Sequence, residues 1–148
     1  MLFENENDRS NEQRMADRIQ LWLKERKNRH RTFEKMPDQS VIDFAICAGK
    51  TVTGYLECKS RTFDSERFSN VMIDHSKLIQ LLEWASWSTV PVWLGVMYTD
   101  DRLFLYRIDG KVREDILETR WLIRNSPRVA ADNKPVVLLD RSKFMAIP

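Results

Sequence analysis

Apolar positions recur at helical spacing between Asn11 and Asn28, where Met15, Ala16, Ile19, Trp22 and Leu23 form one stripe. Ser10 or Asn11 can cap that helix, and Glu12 lies one turn before Ala16, on the edge of the stripe. The period then changes. Residues 31–35 read as a short edge strand, followed by strands Val41–Cys47 and Val52–Lys59. Ala48-Gly49-Lys50-Thr51 joins these two as a turn with the glycine it needs. Phe68–Ser88 predicts a second helix that buries Ile73, Leu78, Leu81, Leu82 and Ala85. Beyond Pro91, Val92–Tyr98 is apolar on both faces, as a buried central strand is. Asp100-Asp101 turns the chain into a strand over Leu103–Ile108, which ends at Asp109-Gly110. Val112–Arg124 predicts a third helix, with Val112, Ile116, Trp121, Leu122 and Ile123 apolar. A short strand, Pro135–Leu139, and a tail with Phe144 and Ile147 close the chain. The order predicts an α/β (α+β) fold with a mixed sheet flanked by helices.

Length and composition narrow this picture. The chain has 148 residues, which fits one domain over 1–148. Five Trp and seven Phe argue for a packed core rather than disorder. Two Cys and two His, without CxxC or HxxxH spacing, argue against a structural zinc site and a disulfide framework. The acidic N-terminus, MLFENENDRS, has no apolar signal region, and no apolar run approaches ~18 residues. The expectation is an intracellular, cytoplasmic protein away from membranes.

The net charge of +2 hides an uneven distribution. Lys24, Arg26, Lys27, Arg29 and Arg31 fall within eight positions. Such a cluster can contact phosphates, and it can equally complement the dipole of a helix C-terminus.

Acid-x-Lys triplets occur four times: Glu25-Arg-Lys27, Glu57-Cys-Lys59, Asp109-Gly-Lys111 and Asp132-Asn-Lys134. Only Glu57 and Lys59 lie in a strand expected to be half or wholly buried. Alternation puts Tyr55, Glu57 and Lys59 on one face and Leu56 and Cys58 on the other. On the preceding strand Ile42, Phe44 and Ile46 form an apolar face, with Asp43 opposite. Folding the hairpin about Gly49 brings Asp43 to the level of Leu56 and Glu57. Strand propensity disfavours Asp within VIDFAI, and a buried carboxylate costs several kcal/mol unless it is paired or binds a metal. Two carboxylates suit a hard divalent cation, and the lysine would neutralise charge developing beside it. The alternative is a cross-strand ion pair on an exposed sheet face.

The run VIDFAICAGKTVTGYLECKSR resembles the core hairpin of the PD-(D/E)xK nuclease superfamily. In that resemblance Asp43 matches the first acid, Glu57 the second and Lys59 the lysine. The resemblance implies a restriction-endonuclease-like core of order α-β-β-β-α-β with C-terminal additions. It implies Mg²⁺ or Mn²⁺ on Asp43, Glu57 and the backbone carbonyl of Cys58. Resolvase-like members add an acid from the first helix, here matched by Glu12 ahead of Glu6, and a Gln or Lys from the second helix, here Lys77. Asp38 follows a literal proline, Pro37, but that pair lies before the strand and reads as a turn.

The reading that follows is a metal-dependent deoxyribonuclease of the resolvase-like or small phage type, structure-specific or weakly sequence-specific. Its partner is nucleic acid, DNA rather than RNA, with a homodimer to cut both strands. Lys77, Arg61, Lys27, Arg29 and Arg31 are its candidate nucleic-acid contacts. The competing reading is an inactive nucleic-acid-binding or complex-assembly protein on the same fold, with Trp84, Trp87 and Trp93 at an interface.

Overall fold

The structure is a computed structural model and describes residues 6–122 and 134–148. In chain order the elements are α1 (Glu6–Lys27), β1 (Thr32–Lys35), β2 (Phe44–Ala48), β3 (Thr51–Ser60), β4 (Asn70–Asp74) and α2 (His75–Trp87). There follow β5 (Val92–Met97), β6 (Leu103–Ile108), a 3₁₀ segment (Gly110–Asp115), β7 (Ile116–Leu122), β8 (Lys134–Asp140), a 3₁₀ turn (Arg141–Lys143) and β9 (Met145–Ile147).

Six strands form the main sheet in the order β1-β2-β3-β5-β6-β9. The β3–β5 pair is parallel and the other four are antiparallel. A parallel neighbour requires a crossover, and β4 with α2 supplies it. β5 is central, with Val92, Leu94 and Val96 fully buried.

Each face of the sheet buries its own core. On one face α1 lays Met15, Ala16 and Ile19 against Phe44, Ile46, Leu56, Cys58 and Leu105. On the other face α2 packs Leu78 and Leu81 against Val92, Leu94 and Val96. A second, three-stranded sheet, β4-β8-β7, joins that core through Val71, Ile73, Val137 and Leu139. Among the described residues no helix is long and apolar enough to cross a membrane.

The mixed sheet flanked by helices agrees with the expected fold class, and three local expectations are corrected. The second helix starts at His75, not Phe68, because Asn70–Asp74 forms β4. Val71 and Ile73 pair with Leu139 and Val137, partners more than sixty positions away that local periodicity cannot register. The expected third helix is a 3₁₀ segment followed by strand β7, again because β8 offers a partner edge. Residues 123 and 124 of that expectation lie outside the described residues. The first helix begins by Glu6, so Ser10 and Asn11 are interior to it and cap nothing.

Candidate active site

The site grows from the β2–β3 hairpin. Gly49 turns it with φ +61, and the ladder pairs Phe44 with Leu56, bringing Asp43 to the level of Glu57. Alternation along β3 sends Leu56 and Cys58 into the core beneath α1, while Tyr55 packs on the α2 side. Glu57 and Lys59 share the parity of Tyr55. The expectation for β2 needs one correction. Residues 41–43 are a bend, not strand, so Ile42 enters the α2-side core and Phe44 the α1-side core.

That bend frees Asp43 to act at the mouth of the sheet. Its N–H donates to Leu56 O at 3.2 Å, and its carbonyl accepts from Met36 N at 2.8 Å. Its Oδ2 accepts from Cys58 N at 2.7 Å. The carboxylate thus stands in for the strand neighbour that β3 lacks at Cys58, and it is fixed from three directions.

Three other elements bring charge to this point. β1 pairs Lys35 with Phe44, and the Lys35 ammonium lies 2.7 Å from Glu12 Oε2 and 3.6 Å from Asp43 Oδ1. Glu12, on α1, is therefore linked to Asp43 through a lysine. From α2, the Lys77 ammonium meets Glu57 Oε2 and the Val41 carbonyl. From β3 itself comes Lys59, half-buried, whose ammonium makes no hydrogen bond or ion pair with a described residue. Its charge is felt at Glu57.

Glu57 is 2% exposed. Burial, then a side-chain hydrogen bond with Asp43, then the Asp43 charge push its pKa up to about 8, and Lys59 and Lys77 do not offset them. The negative charge of Asp43 thus adds to burial in disfavouring the ionised form of Glu57. Glu57 Oε2 faces Lys77 as an ion pair but is otherwise a buried oxygen without an aligned hydrogen bond. The neighbouring Cys58 thiol is pushed well up by burial first and by Asp43 second, which keeps it an inert apolar group.

This donor set fits a hard divalent cation. It consists of the carboxylate oxygens of Asp43 and of the buried Glu57, whose raised pKa means that a bound cation would displace its proton. Asp43, Glu57 and the main-chain carbonyl of Cys58 are the groups that would hold it. No set of three or more His, Cys, Asp or Glu side chains converges among the described residues. Water and a substrate phosphate would therefore complete the shell, as is usual for Mg²⁺.

The other sequence-predicted residues fall elsewhere. Arg61 follows β3, and its guanidinium donates to the Met72 carbonyl of β4. Burial lowers its pKa. Lys27, Arg29 and Arg31 sit beyond the far end of α1 from Glu12, about 22 Å from it at 1.5 Å rise per residue to Lys27. Lys35 was not foreseen. Its signal was available: Phe33 and Lys35 share strand parity, and both lie against Phe44.

A model of the family described as "Phage putative PDDEXK endonuclease" matches residues 1–147. No curated protein matches the sequence significantly. Among solved structures, a Holliday junction resolvase, Hjc, from the archaeal hyperthermophile Archaeoglobus fulgidus is similar in shape. The TM-score is 0.45 at 11% identity, over 77% of this chain and 80% of that one.

Proposed function

The chain belongs to the phage PDDEXK endonuclease family, and we propose that it hydrolyses DNA phosphodiester bonds with Mg²⁺ or Mn²⁺ on Asp43 and Glu57 and with Lys59 at the reacting phosphate. One observation carries this reading. Asp43, anchored by the Cys58 N–H, and the buried Glu57 stand at one level of the β2–β3 hairpin, and the adjacent Lys59 ammonium makes no hydrogen bond or ion pair with a described residue.

When bound, the cation neutralises charge on the scissile phosphate and lowers the pKa of a coordinated water. The protein's own groups do the rest. Cys58 N–H and Lys35 orient the two oxygens of Asp43. Lys77 holds Glu57 from the α2 side and ties the bend at Val41 to α2. Glu12 is a positioning residue, since it orients Lys35 rather than meeting Asp43 directly. Lys59, two positions beyond Glu57 on the same face, directs its ammonium to the phosphate oxygen on which negative charge grows. With Lys35 and Lys77 already matched to carboxylates, Lys59 is the lysine of this cluster left for substrate.

A chain of 148 residues has little surface for base readout, which favours structure-specific or weakly sequence-specific cutting. One site per chain implies a homodimer for cutting both strands. The test is a panel of duplex, single-stranded, flap, four-way-junction and RNA substrates with Mg²⁺, Mn²⁺ or EDTA. The expected result is metal-dependent cutting of DNA that Asp43→Asn abolishes. Cutting by Asp43→Asn at the parental rate, or cutting in EDTA, would refute the assignment.

A further inference from the structure

We infer that the far end of α1 is a second nucleic-acid site, one that takes unpaired bases of a single strand. This inference rests on the nuclease reading, because it needs nucleic acid as the ligand. The helix ends at Lys27, Asn28 turns left-handed at φ 51, and Arg29 N–H closes onto Leu23 O at 2.9 Å. The chain therefore folds back across the helix end, and Gln20 Nε2 fixes the returning segment by donating to Arg31 O at 2.8 Å. Lys27, Arg29 and Arg31 are thereby brought to one cavity of about 350 Å³ between α1 and the main sheet. Two indoles, Trp22 and Trp93, also line it, each only partly buried. The Lys27 ammonium lies 5.5 Å from the Trp22 ring centroid.

The charge here is not compensated. Lys24, Arg26, Lys27, Arg29 and Arg31 have no ion-pair partner among the described residues. Cations alone would serve the backbone of any nucleic acid. Apolar walls alone would serve any hydrophobic ligand. Cations bordering a cavity with two indoles match an unpaired strand, which offers phosphates and base faces together. A volume of about 350 Å³ suits a single small aromatic group. The cavity and Glu12 lie along the same helix on the same side of the sheet, so the site is separate from Glu57 and Lys59 on the α2 side.

The experiment uses the full chain in EDTA, so that nothing is cut. Tryptophan fluorescence and anisotropy are read against labelled duplexes that are blunt or carry thymidine tails of two to twelve nucleotides. Tailed duplexes should bind at least tenfold more tightly than the blunt duplex and quench tryptophan emission. Trp22→Phe with Trp93→Phe should abolish that quenching. Lys27→Ala with Arg29→Ala and Arg31→Ala should remove the tail's advantage and lower the salt slope by about 2, at about 0.7 per single-strand contact. Equal losses for blunt and tailed duplexes would overturn the proposal by making the cluster a general phosphate patch. So would quenching that survives the double Trp replacement. Because no metal is present, failure here leaves the cleavage reading intact. A protein that quenches on tails yet never cuts would lose the cleavage reading and keep this one.

Discussion

The two ends of α1 handle charge in opposite ways. At the Glu12 end, charge is drawn into the fold and matched: Glu12 with Lys35, Lys35 with Asp43, and Glu57 with Lys77. At the Lys27 end, five cations stay unmatched, four of them exposed and Arg31 half-buried. Buried charges must be paired because desolvation is costly, and exposed ones need no partner because water serves. The contrast teaches where each end's chemistry resides. In the buried network the exception is informative, and that exception is Lys59. At the exposed end the absence of partners is ordinary, and the cavity with its indoles is what distinguishes it. The two ends should also respond differently to salt, since screening acts on exposed charges far more than on buried pairs.

The largest effect should come from the exception. Lys59→Ala should cut at least about a hundredfold more slowly at saturating metal and substrate, the scale of losing a preorganised transition-state contact. It should keep the fold and its metal-induced stabilisation, because Lys59 is not a ligand. A parental single-turnover rate would place the chemistry elsewhere.

Next comes the pairing itself. Lys77→Met leaves the Glu57 carboxyl and the Val41 carbonyl without their cation. It should lower stability by about 1–3 kcal/mol in urea unfolding. Adding Glu57→Gln should recover part of that loss, and strict additivity of the two changes would show that they do not interact.

A pH effect should accompany it. The folded-state pKa of Glu57 is about 8 against an ordinary 4.5, so between these values the folded protein holds a proton that the unfolded chain has released. The metal-free stability it contributes is complete below pH 4.5 and is lost as pH rises through about 8. Metal binding expels that proton, so stabilisation by Mn²⁺ should grow over the same window. Melting curves of Glu57→Gln should be flatter in pH, and an unchanged slope would contradict the buried-proton account.

The smallest effect belongs to the exposed end. Lys27→Ala alone should change stability by no more than about 0.5 kcal/mol and lower the salt slope of single-strand binding by about 0.7. A larger loss of stability would mean that Lys27 supports the helix end through Trp22.

The sequence was most informative where partners are local. The β2–β3 hairpin was legible to within one residue, because alternation and the glycine at position 49 mark the turn, while the irregularity between Ile46 and Cys47 that sets the final register leaves no local signal. Asp43 and Glu57 could therefore be placed at one level before any coordinates. The second sheet was largely hidden. Asn70–Asp74 and Ile116–Leu122 become strands because β8 pairs with both, and a helical window laid over either segment cannot see β8. The bend at 41–43 was read as strand, since Val41 and Ile42 look like strand residues until their core is known to be the α2 side. Lys35 was missed because an edge strand of four residues gave little reason to ask which charge it aims inward.

The central claim is that Asp43 and Glu57 form one cation site. The most direct measurement is the melting temperature with and without Mn²⁺ for the parent and for Asp43→Asn, at pH 7.5 and in the absence of DNA. At a Mn²⁺ concentration of about 100 times Kd, linkage adds about 2.7 kcal/mol to the parent's stability, so its melting temperature should rise by several degrees. That of Asp43→Asn should not move. Equal stabilisation of both proteins by Mn²⁺ would contradict the claim.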